Sequence, residues 1–199
     1  MKNNKTQVLI IIVVIGFIIS AIYFNNKYKR ISNINSEILK YGELNPNAPK
    51  ETLQFGQLVG NWQCIMSNRM PDDTWNENRA DWKWTYILNG YAIQDFWLNH
   101  ADTIRNPKGK DLYGTNIRIY STRQKKWLNS WTENGSNSMT SLWEASANED
   151  GSINMHDGTG NWVIKFYNIK EDSFDWVWDF KQEDGTMKTM SKIKAVRID

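Results

Sequence analysis

The sequence has one cysteine and only two histidines, and these shortages exclude several kinds of site. Cys64 alone can form no intrachain disulfide. Neither His100 nor His156 has a second histidine or a cysteine at metal-ligand spacing, although His156 is followed directly by Asp157. A zinc site needs three or four such ligands. We therefore predict no metal and no cofactor.

Glycine motifs of nucleotide and hydrolase sites are also missing. The stretch GTGNW, residues 158–162, lacks the third glycine and the following helix that a dinucleotide site requires. The sequence contains no Gly-x-Ser-x-Gly elbow and no phosphate-binding loop. From Gly60 onward long helical periodicity is absent as well, so no helical pattern competes with a β structure there.

Excess positive charge is confined to the N-terminus. The chain carries 24 Lys and Arg against 22 Asp and Glu, a formal net charge of +2. Five of the basic residues and none of the acidic ones lie in residues 1–30, which leaves 19 basic against 22 acidic residues. The folded part therefore has no basic surface of the kind that binds nucleic acid, and we predict no nucleic-acid partner.

One long apolar run is present, VLIIIVVIGFIISAIYF at residues 8–24, and Ser20 is its only clearly polar member. Its length is near the lower limit for a membrane-spanning helix, about 17 residues. A cleaved signal peptide would need small residues three positions and one position before the cut, and the positions around Ser20 do not supply them. We predict an uncleaved single-pass anchor in residues 1–30, with a cleaved signal peptide as the alternative.

The charges that flank this run orient it only weakly. Basic residues lie on both sides of it: Lys2, Lys5, Lys27, Lys29 and Arg30. The positive-inside rule therefore gives almost no preference for either orientation of the run. A very short leading tail favours export of the chain beyond the anchor, so we predict that the folded domain is extracytoplasmic.

After the anchor the sequence changes to short alternating stretches separated by turn signals such as Asn89-Gly90, which is typical of a sandwich or barrel. We predict about ten strands, near residues 61–69, 79–88, 91–99, 113–120, 127–132, 139–147, 152–156, 162–169, 174–181 and 186–198. Residues 31–55 are then a linker and lead-in, and residues 56–199 form a β domain. The predicted fold class is all-β, with an N-terminal transmembrane helix.

The hairpin around Asn89-Gly90 places a carboxylate, Asp95, among aromatic residues. An Asn-Gly pair is a strong signal for a two-residue turn, and the resulting register sets Trp84 opposite Asp95. Opposed residues share a face, and Lys83 belongs on the other, solvent-exposed face. Asp95 therefore points into the protein, unless the hairpin slips by one residue and reverses every assignment.

A partner for Asp95 is available on the next strand. An isolated buried charge is too costly, so a buried carboxylate must be paired, hydrogen-bonded or protonated. In YGTNIRIYS, Arg118 shares a face with Asn116 and Tyr120. We predict an ion pair between Asp95 and Arg118 inside the fold. The alternatives are a salt bridge that only fixes strand register, and an exposed Asp95.

Eleven tryptophans are present, and alternation turns several of them inward. In SFDWVWDFK, Trp176 and Trp178 share one face. In TMKTMSKIKAVRID, alternation turns Lys188 outward and Thr189 and Ser191 inward. Many large rings together with inward hydroxyls suit a lined cavity better than a tightly filled aliphatic core, which is the alternative.

Gly60 and Trp62, at the first strand, together with Arg197 near the end of the last strand, resemble the lipocalin-like (calycin) superfamily. The blocks LVGNW, LNGYAIQDFW, YGTNIRIYSTRQKKW and KIKAVRI, in that order, are similar to bacterial lipocalin-like domains of unknown function. The resemblance implies a single antiparallel barrel with one open mouth and an apolar ligand site. It also implies that Gly60, Trp62 and Arg197 close the other end and that residues 50–59 cap it.

The function predicted from these features is a membrane-tethered barrel that binds a small hydrophobic or amphipathic molecule. The predicted ligand-binding residues are Trp84, Asp95, Trp97, Arg118, Trp131, Trp143, Trp176 and Trp178. One alternative is an isomerase, cyclase or hydrolase that uses Asp95 as acid–base residue beside Arg118. A filled barrel with a structural or partner-docking role is the other alternative. No second catalytic group is evident, so binding is preferred and catalysis is left open.

Overall fold

The computed structural model describes residues 14–30, 41–101, 109–140 and 142–199. The chain divides into two compact units, Met1–Lys40 and Tyr41–Asp199. In the first unit, residues 14–30 are helical. Among the described residues no helix has both the length and the apolar character needed to cross a membrane. Residues 8–13, where the predicted anchor begins, lie outside the described part of the chain.

The second unit begins with a five-residue helix, Thr52–Gly56, which we call the cap helix. It continues through eleven strands: β1 (Gly60–Arg69), β2 (Trp75–Ile87), β3 (Ala92–Asn99), β4 (Leu112–Ser121), β5 (Lys126–Glu133), β6 (Ser138–Met139), β7 (Trp143–Ala147), β8 (Ile153–His156), β9 (Trp162–Tyr167), β10 (Ser173–Lys181) and β11 (Met187–Arg197).

These strands form one closed antiparallel barrel. The order in the sheet is β4-β3-β2-β1-β11-β10-β9-β8-β7-β5, and pairing of β4 with β5 closes the ring. The two-residue β6 pairs only with the end of β5. The ring therefore has ten strands, and the predicted all-β antiparallel barrel of about ten strands is confirmed. Where one strand was predicted at residues 139–147, the chain instead forms β6 and β7.

The hairpin between β2 and β3 has the predicted register, with Trp84 opposite Asp95 and Trp82 opposite Trp97. Regular pairing ends at Ile87 and Ala92, and the turn carries positive φ angles at Leu88, Asn89 and Gly90. A Cβ at Gly90 would collide with the backbone of residues 43–45, which lies against the turn. The turn therefore needs glycine at this position for two reasons, its φ of 81° and this close approach.

One end of the barrel is closed by the residues that the resemblance singled out. Trp62 is fully buried, and its indole N–H donates to the Leu58 carbonyl at 2.8 Å. The Arg197 guanidinium carbon lies 4.1 Å from the centroid of the Trp62 ring. The same guanidinium donates to the Val59 carbonyl at 2.7 Å and holds the segment that precedes β1. A Cβ at Gly60 would collide with this guanidinium, so only glycine fits there.

Cys64 lies in the core of the barrel and is fully buried. Burial raises the pKa of its thiol to about 12, and the nearby Asp81 charge adds to the rise. Because the reactive species is the thiolate, we expect labelling at pH 8 to be slower than for a free thiol by about a thousand-fold. Labelling with a thiol reagent before and after addition of urea measures this. Fast labelling of the native chain would show that the core opens around Cys64.

Candidate functional site

Among the described residues, the end opposite Trp62 and Arg197 is not closed by buried side chains, and we call it the mouth. Inward-facing side chains near the mouth are only half-buried: Met66, Asn68, Asn76, Asn78, Asn99, Trp131, Trp143, Trp178 and Phe180. Inward-facing side chains nearer the closed end, such as Trp84, Asp95 and Phe166, are at most 1% exposed. Burial of the described inward-facing side chains therefore decreases from the closed end towards the mouth.

A cavity of about 450 Å³ lies at the mouth, between the turn of residues 70–74 and the β10–β11 hairpin, and we call it the mouth cavity. Its volume is within the range of small-molecule sites, roughly 300–1,000 Å³. The lining residues are Arg69, Met70, Pro71, Asp73, Trp178, Phe180, Gln182, Lys188 and Met190.

Aromatic rings continue from the mouth cavity along the inner wall. Ring centroids are 5.1 Å apart for Trp178 and Phe180, and 6.3 Å apart for Trp178 and Trp162. The next pair, Trp162 and Trp143, are 5.0 Å apart in an edge-to-face arrangement. Such pairs are a favourable geometry for aromatic rings. They form an apolar wall across β7, β9 and β10.

A β-bulge changes which side chains of β11 face this wall. Trp178 pairs with Ser191, but Asp179 pairs with Thr189, so Met190 is the extra residue. Beyond the bulge Lys188 pairs with Phe180 and faces inward, whereas the Thr189 hydroxyl donates to the Asp179 carboxylate at 2.6 Å on the outer face. The predicted orientations of Lys188 and Thr189 were wrong, because a bulge reverses the alternation beyond it.

Lys188 forms an ion pair across the mouth. Its Nζ donates to Oδ1 of Asp73 at 2.6 Å, and Arg69 Nη1 lies 3.6 Å from the same oxygen. The hydrogen bond and charge of Lys188 are the main reasons why the pKa of Asp73 is below its ordinary value. Asp73 belongs to the β1–β2 turn, so this pair ties the turn to β11.

Deeper in the barrel, four polar side chains form a buried polar cluster: Asp95, Asn116, Arg118 and Asn129. Arg118 Nη1 donates to Asp95 Oδ2 at 2.5 Å, and the Asn116 backbone N–H donates to Oδ1 at 3.0 Å. The ion pair that was predicted between Asp95 and Arg118 is present. Asp95 is opposite Asn116, and Arg118 is opposite Asn129. All four are at most 2% exposed.

Aromatic rings cover this cluster on the side of the cap helix. The guanidinium carbon of Arg118 lies 4.2 Å from the Trp84 ring centroid and 5.0 Å from that of Phe55. Phe55 comes from the cap helix and also contacts Trp127, with centroids 4.9 Å apart. The ion pair is therefore held between the cap helix and the barrel wall.

Burial acts on both members of the ion pair. Burial raises the pKa of the Asp95 carboxyl above its ordinary value, and the Arg118 charge and hydrogen bond oppose this rise. Smaller opposing effects come from the Asn116 N–H and the Trp82 indole, which makes no well-formed hydrogen bond. Burial likewise lowers the pKa of Arg118, against the effect of Asp95. Each group therefore depends on the other to remain charged.

Several buried polar atoms have no hydrogen-bond partner within the described parts of the chain. In and beside the polar cluster these are Trp84 Nε1, Asn116 Oδ1, Arg118 Nε and Asn129 Oδ1. Nearer the mouth they are Asn78 Oδ1, Asn99 Oδ1 and Trp178 Nε1. Buried polar atoms are normally paired, so this number of unpaired atoms on the inner face indicates an interior suited to water or a polar guest.

All eight predicted ligand-binding residues lie on the inner face of the barrel, and the structure divides them by depth. Trp178 lines the mouth cavity. Trp84, Asp95 and Arg118 lie near the cap helix and do not line the mouth cavity. The half-buried Trp131 lies over Gly114, where a Cβ would collide with its ring.

Sequence reasoning missed several residues of the site, among them Lys188, Met190 and Asn129. Lys188 and Met190 were missed because nothing in their local sequence marks the bulge. Asn129 was detectable, since alternation in KWLNSW puts it on the same face as Trp127 and Trp131.

A larger cavity, of about 640 Å³, lies across β1–β5, mostly along their outer face, although Trp82 and Trp97, whose side chains face inward, also belong to its lining. Its lining includes outward-facing side chains such as Lys83, Phe96, Tyr113 and Thr132. It does not contact Asp95 or the mouth cavity, so we call it the outer groove and consider it separately.

The two histidines have local partners. His100 Nε2 lies 2.8 Å from Asp81 Oδ2, and His156 Nδ1 accepts from the Gly158 N–H at 3.1 Å. Within residues 14–30, 41–101, 109–140 and 142–199, no group of three His, Cys, Asp or Glu side chains is placed to hold a metal ion.

A closed antiparallel barrel that begins with Gly-x-Trp beneath a late arginine, capped at one end and open at the other, is a lipocalin-like fold. The structure is similar to that of the S-type phycobiliprotein lyase CPES from Guillardia theta, with a TM-score of 0.51 and 14% identity over 76% of this chain and 98% of that one. It is also similar to Rv2717c from M. tuberculosis, with a TM-score of 0.52 and 12% identity over 79% of this chain and 100% of that one. At these identities the similarity concerns the fold. Models of known protein families and curated protein sequences give no match.

Proposed function

We propose that this chain binds a small hydrophobic or amphipathic molecule inside the barrel, and that the molecule enters through the mouth. The main support is the contrast between the two ends. Inward-facing tryptophans at the mouth are half-exposed beside a cavity of about 450 Å³, whereas those at the closed end are buried. Half-exposed rings on a concave inner wall are the usual lining of a small-molecule site.

In this proposal, polar groups on the inner face orient the bound molecule. Trp178, Trp143 and Trp131 contact the apolar part of the molecule near the mouth. The unpaired atoms of Asn78 and Asn99, nearer the mouth, meet its polar part, directly or through water. In a buried site a few such groups fix orientation, while apolar contact supplies most of the affinity.

Binding is favoured over catalysis because of the state of Asp95. A raised pKa suits an acid–base residue, and one structural neighbour is named a phycobiliprotein lyase, so a barrel of this shape can belong to a lyase. However, both oxygens of Asp95 are engaged, Oδ1 by the Asn116 N–H and Oδ2 by Arg118. A general base needs an oxygen within reach of the proton that it removes.

The proposal also places the barrel on a membrane, on the extracytoplasmic side, through the apolar run at residues 8–24. Its support is the length and composition of that run. Extraction of membranes with alkaline carbonate tests this part: an integral anchor keeps the full chain in the pellet, and release of the chain into the supernatant would contradict it.

Tryptophan fluorescence of the full chain, titrated with dodecanol, retinol and small aromatic compounds, tests the binding proposal. We expect at least one compound to give saturable quenching or a blue shift. Trp178→Ala should weaken its binding by about ten-fold, equivalent to about 1.4 kcal/mol of lost contact. Phe96→Ala is the control, because Phe96 is an exposed aromatic residue on the outer face of β3 and does not line the mouth cavity.

Two results would contradict the proposal. No response to any compound would indicate a filled barrel. Equal weakening by Trp178→Ala and Phe96→Ala would indicate that the compounds adsorb to the surface instead of entering the mouth.

A further inference from the structure

The mouth cavity has two chemically different sides. Met70, Pro71, Trp178, Phe180 and Met190 form an apolar side. The rest of the lining includes two cations, Arg69 and Lys188, and a single carboxylate, Asp73. The lining therefore combines apolar surface with a net positive charge.

Lys188 faces this cavity only because of the β-bulge opposite Trp178 and Asp179. Without the bulge, regular alternation would turn Lys188 to the outer face, together with Lys192 and Lys194. Bulges often occur beside functional sites, where they redirect a side chain. Here the bulge directs an ammonium group to the border between the aromatic wall and solvent.

Of the two cations, Lys188 is the one that is free to change partner. Arg69 is fixed, because its Nε donates to the Thr189 carbonyl at 2.8 Å and its guanidinium lies 4.5 Å from the Trp75 ring centroid. Lys188 holds Asp73, whose side chain is 62% exposed and belongs to a turn. An ion pair in such a position is weak and exchangeable.

We propose that the mouth cavity takes an amphiphile with an anionic head group, which replaces Asp73 as the partner of Lys188. The apolar chain of the amphiphile lies against Trp178, Phe180 and Met190 and continues into the barrel. This inference rests on the proposed function, because it names the class of molecule that the barrel binds. The Asp73 carboxylate, as the present partner of Lys188, stands where this proposal puts the head group.

Matched amphiphiles test the inference on the full chain. Dodecanoate and dodecanol share an apolar chain and differ in head-group charge. The contribution of one exposed ion pair predicts that dodecanoate binds more tightly than dodecanol by about five-fold. Lys188→Met should abolish this preference, so that the two compounds bind the variant with equal affinity. Lys194→Met is the matched control, since Lys194 is an exposed lysine on the outer face of the same strand, and it should leave the preference intact.

Asp73→Asn provides a test in the opposite direction. Removal of the competing carboxylate should tighten dodecanoate binding by about five-fold relative to dodecanol binding. A variant that gains affinity cannot be explained by misfolding, so this result is independent of the stability of Lys188→Met.

The outcomes separate this inference from the proposed function. Equal affinities for dodecanoate and dodecanol, or a preference that survives Lys188→Met, would overturn the anionic head group and leave the binding function in place. Absence of binding for both compounds and for every compound in the fluorescence panel would overturn both.

Discussion

Replacement of Asp95 by Asn is expected to lower the free energy of unfolding by about 3–5 kcal/mol, which is the usual cost of removing one partner of a buried ion pair. Asp95 and Arg118 are 0% and 1% exposed. Without the carboxylate, the guanidinium remains buried with no opposing charge beside the Phe55 and Trp84 rings. Urea unfolding of the full chain, followed by circular dichroism, measures the loss.

Two further variants show whether the effect comes from the pair. Asp95→Asn combined with Arg118→Met should recover most of the lost stability, because no charge is then left buried. Asp81→Asn changes an exposed carboxylate on the adjacent strand and should alter the free energy of unfolding by no more than about 0.5 kcal/mol. A loss below about 1 kcal/mol for Asp95→Asn would mean that water or another group already solvates this site.

Phe55→Ala is expected to cost about 3–5 kcal/mol, as other large-to-small changes of buried aromatic residues do. Phe55 is fully buried, and its ring contacts Trp84, Trp127 and Phe166. Leu53→Ala is the control in the same helix, because Leu53 is 57% exposed and should change stability by less than about 0.5 kcal/mol. Urea unfolding of both variants gives the comparison.

The Phe55 result also tests how the barrel is closed. If the cap helix seals one end, its loss exposes the polar cluster to solvent, and tryptophan emission of Phe55→Ala should shift to the red. Equal stability of Phe55→Ala and Leu53→Ala, with unchanged emission, would show that the cap helix does not belong to the core.

The inward orientation of Asp95 and its pairing with Arg118 could be predicted from the sequence because both depend on local rules. A hairpin turn sets the register of its two strands, and alternation then assigns a face to every residue. The inner tryptophans were identified in the same way. Because side chains alternate with a fixed period of two, a correct turn assignment gives the orientation of every residue in the hairpin.

The position of Lys188 could not be predicted by those rules. The bulge opposite Trp178 and Asp179 is a property of two paired strands, and one extra residue reverses every orientation beyond it. Sequence alternation has no signal for where such a residue is inserted. The break between β6 and β7 is of the same kind, since residues 139–147 alternate as one strand would.

The sequence also could not predict which residues of the site lie deep in the barrel and which lie at the mouth. Trp84, Asp95 and Trp178 were assigned to one cavity because they share the inner face. Their separation results from contacts distant in the chain, above all the insertion of Phe55 against Trp127 and Phe166. A packed closed end and an open mouth therefore became distinguishable only in three dimensions.

The most direct test of ligand binding inside the barrel is the position of a heavy atom on a bound amphiphile. Crystals of the full chain with dodecanol carrying a bromine at the end of its chain would give that position by anomalous diffraction. Binding through the mouth predicts bromine on the inner side of Trp178 and Phe180. Bromine found only in the outer groove, against Phe96 and Tyr113, would contradict the account.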